Sequence, residues 1–430
     1  MLNDLKYYRQ ALGINMLWNA FPIIFFVRDG LGIGPQDSVF TFTYWIIGLL
    51  LMWPGSLFSR LYAPNKLLLF FWGGFLMLCL IYWRYYSPGG VASGSRELMT
   101  YILPFVFLFL LMYYPDDKVD CILIVMVGYT LIASSGLIYS IATSPNWHFG
   151  ERAGINYRAM QGHSNPHSYA NSALATIAAS VILLWKTRST LKKILYTFAI
   201  IFSLAVIVLC RTNTSFIGLA MMIVIAFVFN SRSIIVAIFS AKSLKISFWV
   251  YAIVAFVLAQ FSFIGYTLTV YSAIFAQRFN RVIYTISGMQ IDKTQGASID
   301  ESSSYRLASI ERTKEFVFGD KTPIGQVLFG QGYKSVFLDM PSLDAMVNQG
   351  ILGFIFFNFF WISVIFTTIQ QYFRPANNVS LLIAYLVPLQ VLYIFSGGQT
   401  IDLSAWLWQA FYIRFLGVYA TRPALSLQTA

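Results

Sequence analysis

Apolar stretches long enough to cross a bilayer recur along this chain from about Leu12 to Tyr419, and two long polar segments interrupt them. A bilayer core about 30 Å thick needs about 20 apolar residues per helix. Only elements that satisfy their own backbone hydrogen bonds can cross it. The spacing therefore predicts an all-α polytopic membrane protein, a single integral domain over 1–430. Charged residues make up 11% of the chain and hydrophobic residues 58%, whereas soluble domains carry about 25% charged residues.

About twelve spans are expected, at roughly 11–27, 39–58, 66–84, 98–114, 119–141, 168–185, 193–210, 214–230, 247–269, 346–367, 379–396 and 404–420. The first apolar segment runs into Val27-Arg28-Asp29 without a small-residue cleavage site, so it reads as a retained helix. Lys and Arg of short loops mark the cytoplasmic side. Counted from a cytoplasmic N-terminus, that side holds Lys6, Arg9, Lys118, Arg374 and the dense run Lys186, Arg188, Lys192 and Lys193. Short outer loops hold few, among them Arg28, Arg96 and Arg211. Both termini are expected in the cytoplasm of a bacterial inner membrane. The formal charge of +12 is then a topology signal. Nucleic-acid binding would gather the positives on one soluble face, and here they are dispersed among helix ends, so no nucleic-acid partner is expected. Cys79, Cys121 and Cys210 fall in or at the ends of spans and read as packing residues.

This topology puts 142–167 and 270–345, between the ninth and tenth spans, on the outer face. The first loop holds all three histidines, His148, His163 and His167, with Arg158 and Asn165 nearby. Metal binding lacks support, since no His-Glu-x-x-His spacing or Cys partner accompanies them. The second loop is expected to carry short helices. Residues 305–318 read as an amphipathic helix with Ser302, Ser303 and Ser304 as capping hydroxyls and Gly319 as its stop. Leu307, Ile310 and Val317 share its apolar side, and Arg306 and Thr313 share a flank. Many of the loop's basic residues also suit simple solvation or pairing with local acids. Asp344 suits an N-cap for the following helix, Asp402 suits the positive end of the last helix, and Arg414 suits snorkelling to the nearby interface.

The segment Arg158-Ala-Met-Gln-Gly162-His163-Ser-Asn165-Pro166-His167, followed by a small-residue helix, resembles a signature of the O-antigen polymerase/ligase superfamily. Three further segments agree in order: Arg211-Thr-Asn-Thr-Ser215 at an outer hairpin; Ser304-Tyr-Arg306 with Pro323-Ile-Gly325 and Gly330-Gln-Gly332; and Asp339 to Gly353. Ligases of that family usually carry a His near the end of the large loop, where this chain has Asp339. The departure favours a polymerase over a ligase.

The resemblance implies a glycosyltransferase that joins undecaprenyl-pyrophosphate-linked oligosaccharide repeat units on the periplasmic face. Neither metal nor cofactor is expected. Negative charge grows on the pyrophosphate leaving group, and guanidinium groups bind phosphate oxygens bidentately. Arg158, Arg211 and Arg306 are the expected phosphate-binding residues, with Asn165, Gly330 and Gly332 also at the substrate. The acceptor hydroxyl needs a base, for which His163, His167 and Asp339 are candidates, His163 slightly preferred. The bilayer holds the lipid tails, and a chain-length regulator is a possible protein partner. The competing class is a lipid-linked oligosaccharide flippase, which would place basic residues in a central cavity between two similar halves with short loops.

Overall fold

The computed structural model describes residues 2–35, 38–58, 60–87, 94–144, 147, 152–155, 166–239, 301–320 and 322–419. Within these residues the chain is helical, and no strand occurs. The helices are α1 (Leu2–Trp18), α2 (Phe21–Ile24), α3 (Ser38–Met52), α4 (Lys66–Tyr85), α5 (Gly94–Leu111), α6 (Asp120–Thr143), α7 (Pro166–Lys186), α8 (Thr190–Cys210) and α9 (Asn213–Phe239). After them come α10 (Glu301–Phe318), α11 (Ile324–Phe329), α12 (Pro341–Phe373), α13 (Asn378–Ser396) and α14 (Leu403–Phe415). The chain divides into a main unit, Met1–Pro145 with Ala153–Met222 and Tyr305–Ala430, and a second one, Asn146–Arg152 with Ile223–Ser304. Of the second, the described part is mainly the helical run 223–239.

Six described helices, α4, α6, α7, α8, α12 and α13, are long and apolar enough to cross a membrane. The pair formed by α1 and the stretch Phe21–Gly30, bent by 80°, brings the number to seven if it is counted as one span. These helices mark a membrane-embedded protein. The expected count of about twelve is higher, for reasons visible in particular helices. The 11–27 span is broken after Trp18 and continues through α2 into a π-helical turn, Phe25–Gly30. The 39–58, 98–114 and 404–420 spans are shorter than a bilayer-crossing helix in their described form, α14 having 13 residues. The 247–269 span lies outside the described residues, as does 270–300 of the large loop.

Helices in lipid gain little from hydrophobic burial against one another, so small residues and interhelical hydrogen bonds hold them. Helix α7 shows both. Ala170, Ala173, Ala175, Ala178, Ala179 and Ser180 are buried. Ser172 Oγ lies 3.0 Å from Thr130 Oγ1 of α6, which accepts a bond from Asn19 Nδ2 at 3.2 Å. Large apolar side chains such as Leu50, Phe70, Leu191 and Phe198 stay exposed on α3, α4 and α8, as a lipid-facing surface requires.

One end of the main unit is closed by polar ties. Arg414 in α14 is 0% exposed and donates to the carbonyls of Leu111 at 3.1 Å and Tyr114 at 2.7 Å, while pairing with Asp116 at 2.7 Å. It does not snorkel as expected. A guanidinium with a carboxylate and two carbonyls in reach is better satisfied inside than stretched to an interface. Asn65 caps α4 and donates to Leu416 O, Lys118 reaches Asp4, and Asn378 donates to Asp120.

At the opposite end, α12 is broken at Gly350, where φ is 70°. The carbonyls of Val347 and Asn348 accept instead from the amides of Gln331 at 2.8 Å and Gly332 at 3.0 Å. A Cβ on Gly350 would overlap the Leu328 carbonyl oxygen, and one on Gly330 (φ 75°) would overlap that of Asn348. Two glycines thus let the 328–332 turn plug the broken helix. Asn348 completes the joint. Its Oδ1 accepts from Ser335 Oγ and Val336 N, and its Nδ2 donates to Val336 O and Asp344 Oδ1. The next residues are tied to α5: Glu97 accepts from Tyr333 Oη at 2.6 Å and from Lys334 Nζ at 2.9 Å. Burial first, and then the Glu97 bond, raise the Tyr333 hydroxyl well above its ordinary range, so it stays a proton donor.

Candidate functional site

The end that carries the Gly350 break holds a cavity of about 620 Å3. It is lined from the C-terminal ends of α1 and α13 and the N-terminal ends of α7, α9, α12 and α14, with Arg306 added from α10. Six helix termini and a loop helix therefore converge on one space, although their residues are spread over most of the sequence.

Three expected site residues meet there: His167, Arg306 and Asp339. His167 is the second residue of α7, placed by Pro166 at its first turn, a position where a missing N–H costs nothing. Its ring lies edge-on to Tyr393, with centroids 6.5 Å apart. Arg306 lies on the buried face of α10, which is set by Ser309 (6% exposed), Thr313 (8%) and Phe316 (4%) at helical spacing. Phe316 packs with Val336, Leu338 and Val347. Val317, from the expected apolar side, packs against this same cluster, and Ile310 is half-buried. The 333–347 segment covers the helix on the Phe316 side and draws the small polar positions inward with it. The expected capping serines, Ser302 to Ser304, are instead inside α10.

Arg306 Nε stands 3.9 Å from Asp339 Oδ2 and makes no hydrogen bond among the described residues. The other carboxylate oxygen of Asp339 accepts from Gly398 N at 3.0 Å. That bond belongs to a frame around the 397–402 loop. Asp344, 3% exposed, accepts from Thr400 N at 3.2 Å and from the Thr400 hydroxyl, and Trp406 Nε1 donates to Thr400 O at 3.0 Å. Asp344 is thus not the N-cap of α12. Met340 holds that place with no side-chain cap, and Asp344 clamps the neighbouring loop from inside the helix. Asp402 does cap α14, accepting from Ser404 N at 2.9 Å.

The other expected residues lie elsewhere. Arg158, His163 and Asn165 are outside the described residues, as is His148. Arg211 sits in the α8–α9 hairpin with a left-handed backbone, φ 50°. Thr214 of that hairpin lines the cavity, and Arg211 is not among the lining residues. Gly330 and Gly332 do not line it either. Their positive φ values serve the close backbone packing at Asn348 and Tyr86. Of the three expected phosphate-binding arginines, the structure brings Arg306 to the cavity.

The rest of the wall was not singled out from the sequence. It includes a set of side-chain amides and aromatic rings: Asn19, Asn171, Gln390, Gln399 and Gln409 with Trp18, Trp361, Tyr393 and Trp408. The available signal was the placement of amides within the apolar runs of α1, α7, α13 and α14. Polar groups at such depth face a bundle interior or a cavity.

The arrangement offers a guanidinium beside a carboxylate and an imidazole, in a space whose walls carry side-chain amides and a second carboxylate, Asp402. It can hold an anionic group at Arg306 and bring a proton acceptor, His167 or Asp339, to a neighbouring hydroxyl. No protein-family model matches the chain, and no curated protein matches it in sequence.

Proposed function

We propose that the chain is a glycosyltransferase that polymerises lipid-linked oligosaccharide repeat units at this cavity. Its substrates are undecaprenyl-pyrophosphate glycans, and the cavity faces the periplasm of a bacterial inner membrane. The observation that carries the reading is the meeting of Arg306, His167 and Asp339 in one cavity at the end of a helix bundle. The Lys/Arg bias supports the sidedness, because the opposite end carries Lys118, Lys186 and the basic run up to Lys193. The motif resemblance supports the substrate class, and Asp339 in place of the ligase His favours polymerase over ligase.

In the mechanism, Arg306 binds the pyrophosphate of the donor and stabilises charge as the bond from the anomeric carbon to the phosphate oxygen breaks. The acceptor sugar hydroxyl attacks that carbon and loses its proton to His167, Asp339 or His163. The pyrophosphate-linked lipid leaves, and its tail stays in the bilayer beside the exposed Phe and Leu side chains. Arg158 adds positive charge for the same diphosphate, Arg211 acts on it from outside the cavity lining through the field of its charge, and a length regulator acts as protein partner.

The test is a glycan gel of a strain deleted for the gene and complemented with variants. Arg306→Ala is expected to leave single repeat units and no ladder, since losing one preorganised charge contact costs about 10²–10³ in rate. A complete ladder with Arg306→Ala, at normal protein level, overturns the reading.

A further inference from the structure

The amide and aromatic wall has no task in the phosphate chemistry. Gln409 is 4% exposed, lines the cavity and makes no hydrogen bond with any described residue. Buried polar groups are nearly always hydrogen-bonded, so one that is not, and that opens into a cavity, points to a bound partner. Gln390 and Gln399 likewise make no hydrogen bond with a described residue and line the same space. Asn171 also lines the cavity, and its oxygen accepts from Tyr393 Oη at 3.1 Å and from Ser215 Oγ at 3.5 Å.

Trp408 supplies the flat apolar surface beside these amides. Its position is fixed by other aromatic rings. Trp18 meets it edge-on with ring centroids 4.7 Å apart, and Trp18 is stacked on Phe411 at 4.6 Å. Tyr412 packs on Trp408 from another side at 6.2 Å. An indole held in this way costs little entropy on binding.

A carboxamide is both donor and acceptor and carries no charge. Several of them around an aromatic face match a ring that has an apolar C–H face and a rim of hydroxyl or acetamido groups. They do not match a carboxylate, which needs cations. The basic lining residues are Arg306 and His167, which the proposed mechanism assigns to the pyrophosphate and to the acceptor proton, so none is left beside the amides for a sugar carboxylate. On this ground we infer that the wall formed by Trp408, Gln409, Gln390, Gln399 and Asn171 is a subsite for neutral pyranose rings, and that it selects them over acidic sugars. The inference rests on the glycan reading above and adds the sugar class and the residues that choose it.

The experiment is isothermal titration calorimetry of the full chain in detergent with three probes: maltotriose, N,N′,N″-triacetylchitotriose and trigalacturonic acid. A neutral trimer is expected to bind saturably and the acidic one to bind about tenfold more weakly or not at all. Trp408→Ala and Gln399→Ala should each weaken the neutral trimer about tenfold, and Trp408→Phe should retain it. Gln399 lies in a loop, so its variant tests the wall without disturbing helix packing. Failure of both neutral trimers to bind, equal binding of the acidic trimer, or unchanged binding by Trp408→Ala and Gln399→Ala overturns the subsite. Neutral-trimer binding by a protein that restores no ladder in cells keeps the subsite and removes the polymerase, and a ladder without such binding does the reverse.

Discussion

Arg306 and Asp339 face each other across 3.9 Å at the cavity mouth, one from α10 and the other from the residue pair that precedes α12. The guanidinium is loosely held and the carboxylate is not, because Gly398 N donates to Asp339 at 3.0 Å. An incoming phosphate can therefore take the guanidinium without dismantling the loop.

Asp339→Asn separates the two roles of that carboxylate. The amide oxygen still accepts from Gly398 N, so the loop should keep its position and the protein its thermal stability. Proton acceptance is lost. If Asp339 is the base, chain growth should fall about 10²–10⁴-fold. His167→Gln, assayed beside it on the same gel, tests the imidazole. Normal ladders from both variants would move the base to His163.

Gly350→Ala should destabilise the joint between the 328–332 turn and α12. The backbone there has φ 70°, and the added Cβ overlaps the Leu328 carbonyl. Strain at such a position costs about 1–3 kcal/mol. The measurement is the temperature at which monodisperse protein is lost on size exclusion. An unchanged midpoint would mean that the turn does not plug the helix as described.

Lys334→Met removes the cation from a carboxylate that is 5% exposed. Glu97 would keep the Tyr333 hydrogen bond but lose its charge partner, and breaking a buried pair from one side costs about 3–5 kcal/mol. Because the Lys334 side chain is 29% exposed, the loss should fall toward the low end of that range. Glu97→Gln in the same background removes the stranded charge and should recover part of the loss. A double-mutant cycle in thermal shift checks the sign.

Arg414→Lys should lose stability despite keeping the charge. The guanidinium serves two carbonyls and Asp116 at once, and an ammonium cannot span all three in the same plane. Arg414→Lys indistinguishable from wild type in melting and expression would contradict this.

Much of the fold could be read from order along the chain. Spans α4, α6, α7, α8 and α13 follow from apolar runs, since a bilayer imposes a length and a composition that local sequence must meet. The placement of Asp402 at the positive end of the last helix was equally legible, and the structure adds that its side chain caps that helix through Ser404 N. Helix α10 ends before Gly319 as its residues indicate. The break in α12 was not legible. Gly350 is one of many glycines, and it breaks the helix only because residues 331 and 332 arrive to accept the job of capping its carbonyls.

For the site, the motif resemblance singled out Arg306 and Asp339, and the cluster of histidines in the first outer segment singled out His167. Neither gave an account of the amides, because Gln390 and Gln409 look like stray polar positions in apolar helices until α1, α7, α13 and α14 are seen to end around one space. Arg414 and Asp344 show the same limit. Residue type and position suggest an interface anchor and a cap, and distant partners turn them into an internal ion pair and a loop clamp. Sequence by itself determined what each segment must be to live in a membrane, since that depends on neighbours along the chain. Which polar groups share a cavity was decided only by tertiary packing, since hydrogen bonds and ion pairs act over a few ångströms between residues that stand as far apart in sequence as Leu111 and Arg414.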